Sequence, residues 1–160
     1  MTSITIRAAS EAALPAALAV IRTAFAEHDG VIDPPSSVTR ETLDSFRARI
    51  GAGWLLVADA DGQIVGCVLC RPEEDYLYFG RLAVLPAWRG RGIARQLVER
   101  VEAEARAQGL PRVRLATRIA LPHLRAYYER MGYHFVSEHT HAGYSAPTYI
   151  VMEKDLDTCE

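Results

Sequence analysis

The spacing of apolar and polar positions changes repeatedly along the 160 residues, and each change marks a predicted element. Ile4 and Ile6 alternate with polar neighbours in a short opening strand over residues 4–7. Over residues 11–27 the period lengthens: Leu14, Leu18, Ile21 and Phe25 recur at helical spacing behind Ser10, a residue suited to an N-cap. Asp29-Gly30 and the run Asp33-Pro34-Pro35-Ser36-Ser37 interrupt the pattern as a loop. A second helix is predicted from a Thr39 cap through Ile50, stopped by Gly51. Two apolar runs at residues 54–58 and 63–70 flank Asp61-Gly62, the chemistry of a tight hairpin turn. A third consecutive strand spans residues 76–84.

Residues 90–108 return to helical spacing, with Ile93, Leu97, Val101 and Ala105 on one stripe and Gly109 and Pro111 ending it. A strand at 112–116, a helix at 122–131 stopped by Gly132, and strands at 133–140 and 148–153 complete the chain. The three middle strands fit an antiparallel meander. The strand–helix–strand unit from Tyr76 to Ala116 requires a right-handed parallel crossover. The expected fold class is α/β of the α+β type: a mixed, mostly antiparallel sheet with one parallel pair and helices on both faces. No repeat or linker divides the pattern, so residues 1–160 are expected to form a single domain, burying roughly 68–70% of the unfolded surface.

Composition narrows the class. Apolar content of 49% and charged content of 24% suit a soluble globular protein. A net charge of −2 argues against a nucleic-acid partner, which calls for a basic stripe. No apolar run approaches the ~18 residues of a membrane span, and the first residues lack a charged-then-apolar leader, so no membrane partner and a cytoplasmic location are expected. Cys67, Cys70 and Cys159 form no disulfide framework. Cys67 and Cys70 are three apart on a predicted strand and so point to opposite faces; with no second pair, no metal site is expected.

The densest chemistry lies between a strand and a helix, at Arg89-Gly90-Arg91-Gly92-Ile93-Ala94. Free backbone N–H groups at a helix N-terminus cradle phosphate, and glycine lets a phosphate approach the main chain. Arg89, Arg91 and Arg95 add positive charge. No Gly-Lys-Ser/Thr follows, which excludes a P-loop, and the antiparallel strands ahead of the loop argue against a dinucleotide fingerprint.

These residues resemble the GNAT superfamily of acyl-CoA-dependent N-acyltransferases. Its pattern Gln/Arg-x-x-Gly-x-Gly/Ala is met by Arg89, Gly92 and Ala94, and its Tyr-Glu-x-x-Gly-Phe/Tyr by Tyr128, Glu129, Gly132 and Tyr133, on the expected elements in the expected order. The resemblance implies acetyl-CoA as acyl-donor cosubstrate, with no metal. It implies pantetheine pairing with the backbone of Leu82, Ala83 and Val84 where two strands splay. Backbone N–H groups of Gly90, Arg91, Gly92, Ile93, Ala94 and Arg95 would hold the pyrophosphate, the arginine side chains either assisting or lying in solvent. It also implies Tyr128 as the acid that protonates the leaving thiolate, since a phenol of pKa ~10 suits that task; neighbouring Tyr127 is expected to pack in the core. Backbone N–H near the strand break would polarise the thioester carbonyl.

Many family members carry an asparagine between the fifth strand and the last helix; this chain contains none, and Thr117 or a main-chain carbonyl takes that place. For the general base, Glu73, Glu74 and Asp75, Glu27, His28 and Asp29, and His139 and His141 stay open beside a water relay. The expected acceptor is a small-molecule primary amine, because segments 29–39 and 138–147 are long enough to cover a compact ligand. A protein N-terminus or lysine is the alternative acceptor, and a non-catalytic acyl-CoA-binding module the alternative class. A homodimer is compatible with the pattern.

Overall fold

The computed structural model describes residues 3–156; Cys159 lies outside them. The strands are β1 (Ile4–Ala8), β2 (Trp54–Ala60), β3 (Gln63–Pro72), β4 (Leu77–Val84), β5 (Arg112–Arg118), β6 (His134–His139) and β7 (Tyr149–Asp155). The helices are α1 (Leu14–Phe25), α2 (Leu43–Ile50), α3 (Ile93–Ala107) and α4 (Pro122–Arg130). One sheet of order β1-β2-β3-β4-β5-β7-β6 joins the strands, antiparallel except for the β4–β5 pair. The β2–β3 hairpin turns at Asp61 and Gly62, both with positive φ, and Asp59 Oδ1 accepts the Gly62 N–H at 2.7 Å.

Strand alternation divides the core in two. Leu56, Val68, Cys70, Leu77 and Phe79 face the predicted stripe of α3, where Ile93, Leu97, Val101 and Ala105 are buried. Leu55, Val57, Cys67 and Leu69 face α1 and Phe46 of α2. Cys67 and Cys70 therefore sit on opposite faces as expected, and burial pushes each thiol up to about 12.

Two helix starts differ from the pattern. Ser10 makes no capping hydrogen bond; a 3-10 turn, Glu11–Ala13, leads into α1, whose first turn holds Pro15 at a position where no intrahelical N–H is needed. Thr39 lies inside another 3-10 turn, Ser37–Arg40, and α2 is capped by Thr42 instead. Thr42 and Ser45 exchange reciprocal bonds, Ser45 N–H to Thr42 Oγ1 at 3.1 Å and Thr42 N–H to Ser45 Oγ at 2.8 Å, satisfying two donors at once.

The feature that shapes the site is a bulge in β4. Against β3 the register moves from Leu69↔Gly80 to Cys67↔Ala83, so β4 carries an extra residue there. Arg81 adopts φ 54°, which for a residue with a Cβ costs roughly 1–2 kcal/mol. The bulge bends the strand and ends its pairing with β5, which consists of Leu77↔Val113 and Tyr78↔Arg114 alone. Beyond those pairs both strands continue, unjoined.

Candidate acyl-CoA site

The gap between β4 and β5 opens into a cavity of about 1220 Å³ lined from both faces of the sheet. Leu82, Ala83 and Val84 line its β4 wall, and Ala116 and Thr117 its β5 wall. Backbone groups of an unpaired parallel edge offer an extended ligand the hydrogen bonds that a neighbouring strand would take.

One end of the cavity is the loop before α3. Gly90 and Gly92 both hold positive φ, 77° and 76°, and a Cβ at either would meet no protein atom within 4 Å. The glycines thus permit a left-handed turn and leave clear space in front of the N-terminus of α3. Gly90, Gly92, Ile93, Ala94 and Arg95 all line the cavity. The arginines divide. Arg89 also lines it, but its guanidinium is held by Glu27 at 2.7 and 2.5 Å and by the Val84 carbonyl at 3.3 Å, fastening the loop to the end of α1. Arg91 stacks on the Trp88 ring at 4.6 Å and stands outside the lining.

Thr117 is 6% exposed and its Oγ1 has no hydrogen-bond partner among the described residues. A buried hydroxyl normally finds a partner, so an orphan on the cavity wall is suited to a ligand. The open space before the loop suits a pyrophosphate, and this unpartnered hydroxyl suits a polar group of an extended ligand lying in the gap.

Tyr128 is positioned by the way α4 ends. Tyr133 N–H donates to the Tyr128 carbonyl at 3.0 Å and Gly132 N–H to the Glu129 carbonyl at 3.0 Å, with Gly132 at φ 97°. This is a Schellman stop, and it explains the Tyr-Glu-x-x-Gly-Tyr spacing: the first tyrosine, the glycine and the last tyrosine occupy its defined positions. The rings of Tyr128 and Tyr133 meet at 6.2 Å, and Tyr133 is anchored by its hydroxyl on buried Glu102 at 2.8 Å, which Lys154 also bonds at 3.2 Å. Phe79 and Tyr127 enclose the Tyr128 ring at 6.1 and 5.4 Å. The Tyr128 hydroxyl makes no hydrogen bond among the described residues, and the side chain lines the cavity. Burial, with smaller contributions from Tyr127 and Tyr78, pushes this phenol well above its ordinary pKa.

The end of α1, which Arg89 reaches through Glu27, and two loops bound the rest of the cavity. His28 and His141 line it; Glu27 does too, engaged by Arg89. Burial lowers the pKa of both histidines. Glu73 pairs with Arg71 at 3.0 Å and Asp75 with Arg112 at 2.9 Å, and these two, Glu74, Asp29 and His139 stand outside the lining. His139 stacks on Tyr149 at 5.1 Å. The loops carrying residues 29–39 and 138–147 meet through a bond from the Tyr144 hydroxyl to Asp33.

The lining includes residues that the sequence motifs did not single out, among them Tyr78, Arg81, Arg118, His123 and Tyr149. Tyr78 and Arg118 alternate with buried Leu77, Phe79 and Thr117, a period-2 signal that was there to be read. Arg81 carried no such signal, because the bulge breaks the alternation.

The model of the acetyltransferase (GNAT) family matches residues 20–133. An Azospirillum brasilense IAA acetyltransferase is 36% identical over 104 residues, 63% of this chain and 67% of its own length. The uncharacterized N-acetyltransferase YjgM of Escherichia coli (strain K12) is 30% identical over 130 residues, 76% of this chain and 77% of its own. Among solved structures, the Escherichia coli ribosomal-protein-S18-alanine N-acetyltransferase superposes with a TM-score of 0.79 at 18% identity, covering 99% of this chain and 97% of that one. The PaiA N-acetyltransferase of Thermoplasma acidophilum in complex with coenzyme A gives 0.79 at 20% identity, covering 96% and 99%. At such identities the structural likenesses establish the fold.

Proposed function

The chain belongs to the acetyltransferase (GNAT) family, and on that premise we propose that it moves an acetyl group from acetyl-CoA to the primary amine of a small molecule by direct attack. The observation that carries this reading is the β4–β5 gap, with an open glycine loop at one end and the unpartnered Tyr128 hydroxyl on its wall. Acetyl-CoA supplies an activated thioester. Leu82, Ala83 and Val84 offer main-chain groups to its pantetheine arm. Backbone N–H groups from Gly90 to Arg95, including those of Arg91, Ile93 and Ala94, receive the pyrophosphate at a helix N-terminus. Thr117 Oγ1 supplies the polar contact that the family's asparagine makes elsewhere.

Tyr128, held protonated by its surroundings, donates its proton to the departing thiolate. Main-chain N–H groups beside the bulge at Arg81 stabilise the developing oxyanion. His28 and His141, each with a pKa lowered by burial, line the cavity and can take the amine's proton directly or through water, His141 through the ring nitrogen that its bond to Thr148 leaves free. The two loops that the Tyr144–Asp33 bond joins line the cavity through Ile32, Ser36 and Ser37 on one side and His141 and Ala142 on the other, which favours a compact acceptor over a protein surface.

The test is release of free CoA from acetyl-CoA across amino acids, polyamines, aminoglycosides and peptides, beside calorimetric titration with acetyl-CoA. Turnover of small amines is the expected result. Turnover of peptides alone would make the acceptor a protein, and tight binding without any turnover would make this an acyl-CoA-binding module.

A further inference from the structure

The charge lining the cavity is lopsided. Among the described residues that line the cavity Glu27 is the single carboxylate, and Arg89 holds both its oxygens. Two guanidiniums flank the gap from its two strands, Arg81 from β4 and Arg118 from β5. Arg81 donates to Ser37 Oγ at 2.8 Å and Glu41 Oε1 at 3.3 Å, but Glu41 also serves Arg49 at 2.8 Å, so one carboxylate is shared by two cations. Arg81 Nε is buried with no partner.

Arg118 is less satisfied still. Its one protein hydrogen bond among the described residues runs from Nη1 to the Pro34 carbonyl at 2.6 Å. Asp33, the adjacent carboxylate, takes the Tyr144 hydroxyl instead. The Nε and Nη2 donors of Arg118 are left free on a cavity wall. A planar guanidinium with free donors matches a carboxylate and repels a cation. A polyamine or aminoglycoside would bring positive charge to this wall and find no free carboxylate.

We propose that the acceptor is a small amino carboxylate, its carboxylate bound by Arg118 with Arg81 adding positive potential, and its amine directed into the gap. This rests on the N-acetyltransferase reading above. Arg118 is then a specificity residue that sorts acceptors by charge.

The test compares kcat/KM for each standard amino acid with that for its carboxamide, and with spermidine, in the wild type, Arg118→Gln and Arg118→Lys. In the wild type the acid exceeds the amide at least about tenfold, the worth of a charge-assisted hydrogen bond. In Arg118→Gln that ratio falls toward unity, chiefly through KM. Arg118→Lys keeps the charge, loses the planar fork and gives an intermediate ratio; it carries the test if the glutamine variant does not fold.

A merely structural arginine, tying β5 to the Pro34 carbonyl, would lower acid and amide together and leave the ratio intact. That result overturns the carboxylate site, as does a wild-type preference for amides or spermidine, and either leaves amine acetylation standing. Should no amine turn over, titration of acids and amides into the CoA-loaded protein separates the two readings. Acid-selective binding lost in Arg118→Gln keeps the site while acetyl transfer falls; no acid-selective binding overturns the site as well.

Discussion

Replacing Tyr128 by phenylalanine removes one hydroxyl that makes no hydrogen bond among the described residues, from a ring packed against Phe79, Tyr127 and Tyr133. The fold loses neither a bond nor a packing contact, so the stability change should stay under about 1 kcal/mol. For a domain of this size that is a shift in melting temperature of roughly 2–4 °C or less. The chemical step should lose far more. A general acid contributes about 10²–10⁴-fold, and the low end, about 2.7 kcal/mol, is the value expected of a single phenol. Burial holds the phenol protonated across about pH 6–9, so it acts as a donor throughout and never as a phenolate base. The variant should therefore keep the shape of the wild-type pH profile at a lower height. Single-turnover release of CoA reads the chemical step without product release, calorimetry with acetyl-CoA reads binding, and a thermal melt reads stability. A single-turnover rate within threefold of wild type, at unchanged acetyl-CoA affinity, refutes the proton-donor role. A fall in melting temperature of ten degrees or more would instead show that the hydroxyl serves the fold.

Gly92→Ala forces a Cβ into the left-handed region, costing about 1–2 kcal/mol, and projects it into the open space before α3; acetyl-CoA affinity by calorimetry should fall at least about tenfold, with only a few degrees lost in the melt. Burial raises the pKa of Glu41, but hydrogen bonds from Ser45 and Arg49 and the charges of Arg49 and Arg81 outweigh it, leaving the carboxyl below its ordinary value of 4.5. Its contribution is therefore full above that pH and is lost as pH falls through the folded-state value. Glu41→Gln should cost about 3–5 kcal/mol near pH 7, because Arg81 stays buried without its partner; in urea titrations the gap from wild type should narrow as the pH is lowered toward 3, and a gap independent of pH would contradict the linkage.

Much of the fold was legible because its signals are local. The stripe Ile93, Leu97, Val101 and Ala105, the Asp61-Gly62 turn, the opposed Cys67 and Cys70, and the stop at Gly132 each depend on residues within a turn or two along the chain. The loop from Arg89 to Ala94 and Tyr128 were likewise recognisable, since backbone conformation at a helix start and a helix stop is written in a few consecutive residues.

What the sequence by itself determined, then, is the order of elements, the faces they bury and the two motifs that frame the gap. Tertiary structure alone decided that β4 bulges at Arg81, that Arg89 serves Glu27, that Thr42 rather than Thr39 caps α2, and that Arg118, bonded to the Pro34 carbonyl through Nη1, keeps its other donors beside the cavity. Arg81 meets Ser37 and Glu41 across 44 and 40 residues, Arg118 meets Pro34 across 84, and Tyr144 meets Asp33 across 111. Such pairings depend on which surfaces the folded sheet brings together, and the charge and shape of the acceptor end are sums over those distant partners, which no local pattern encodes.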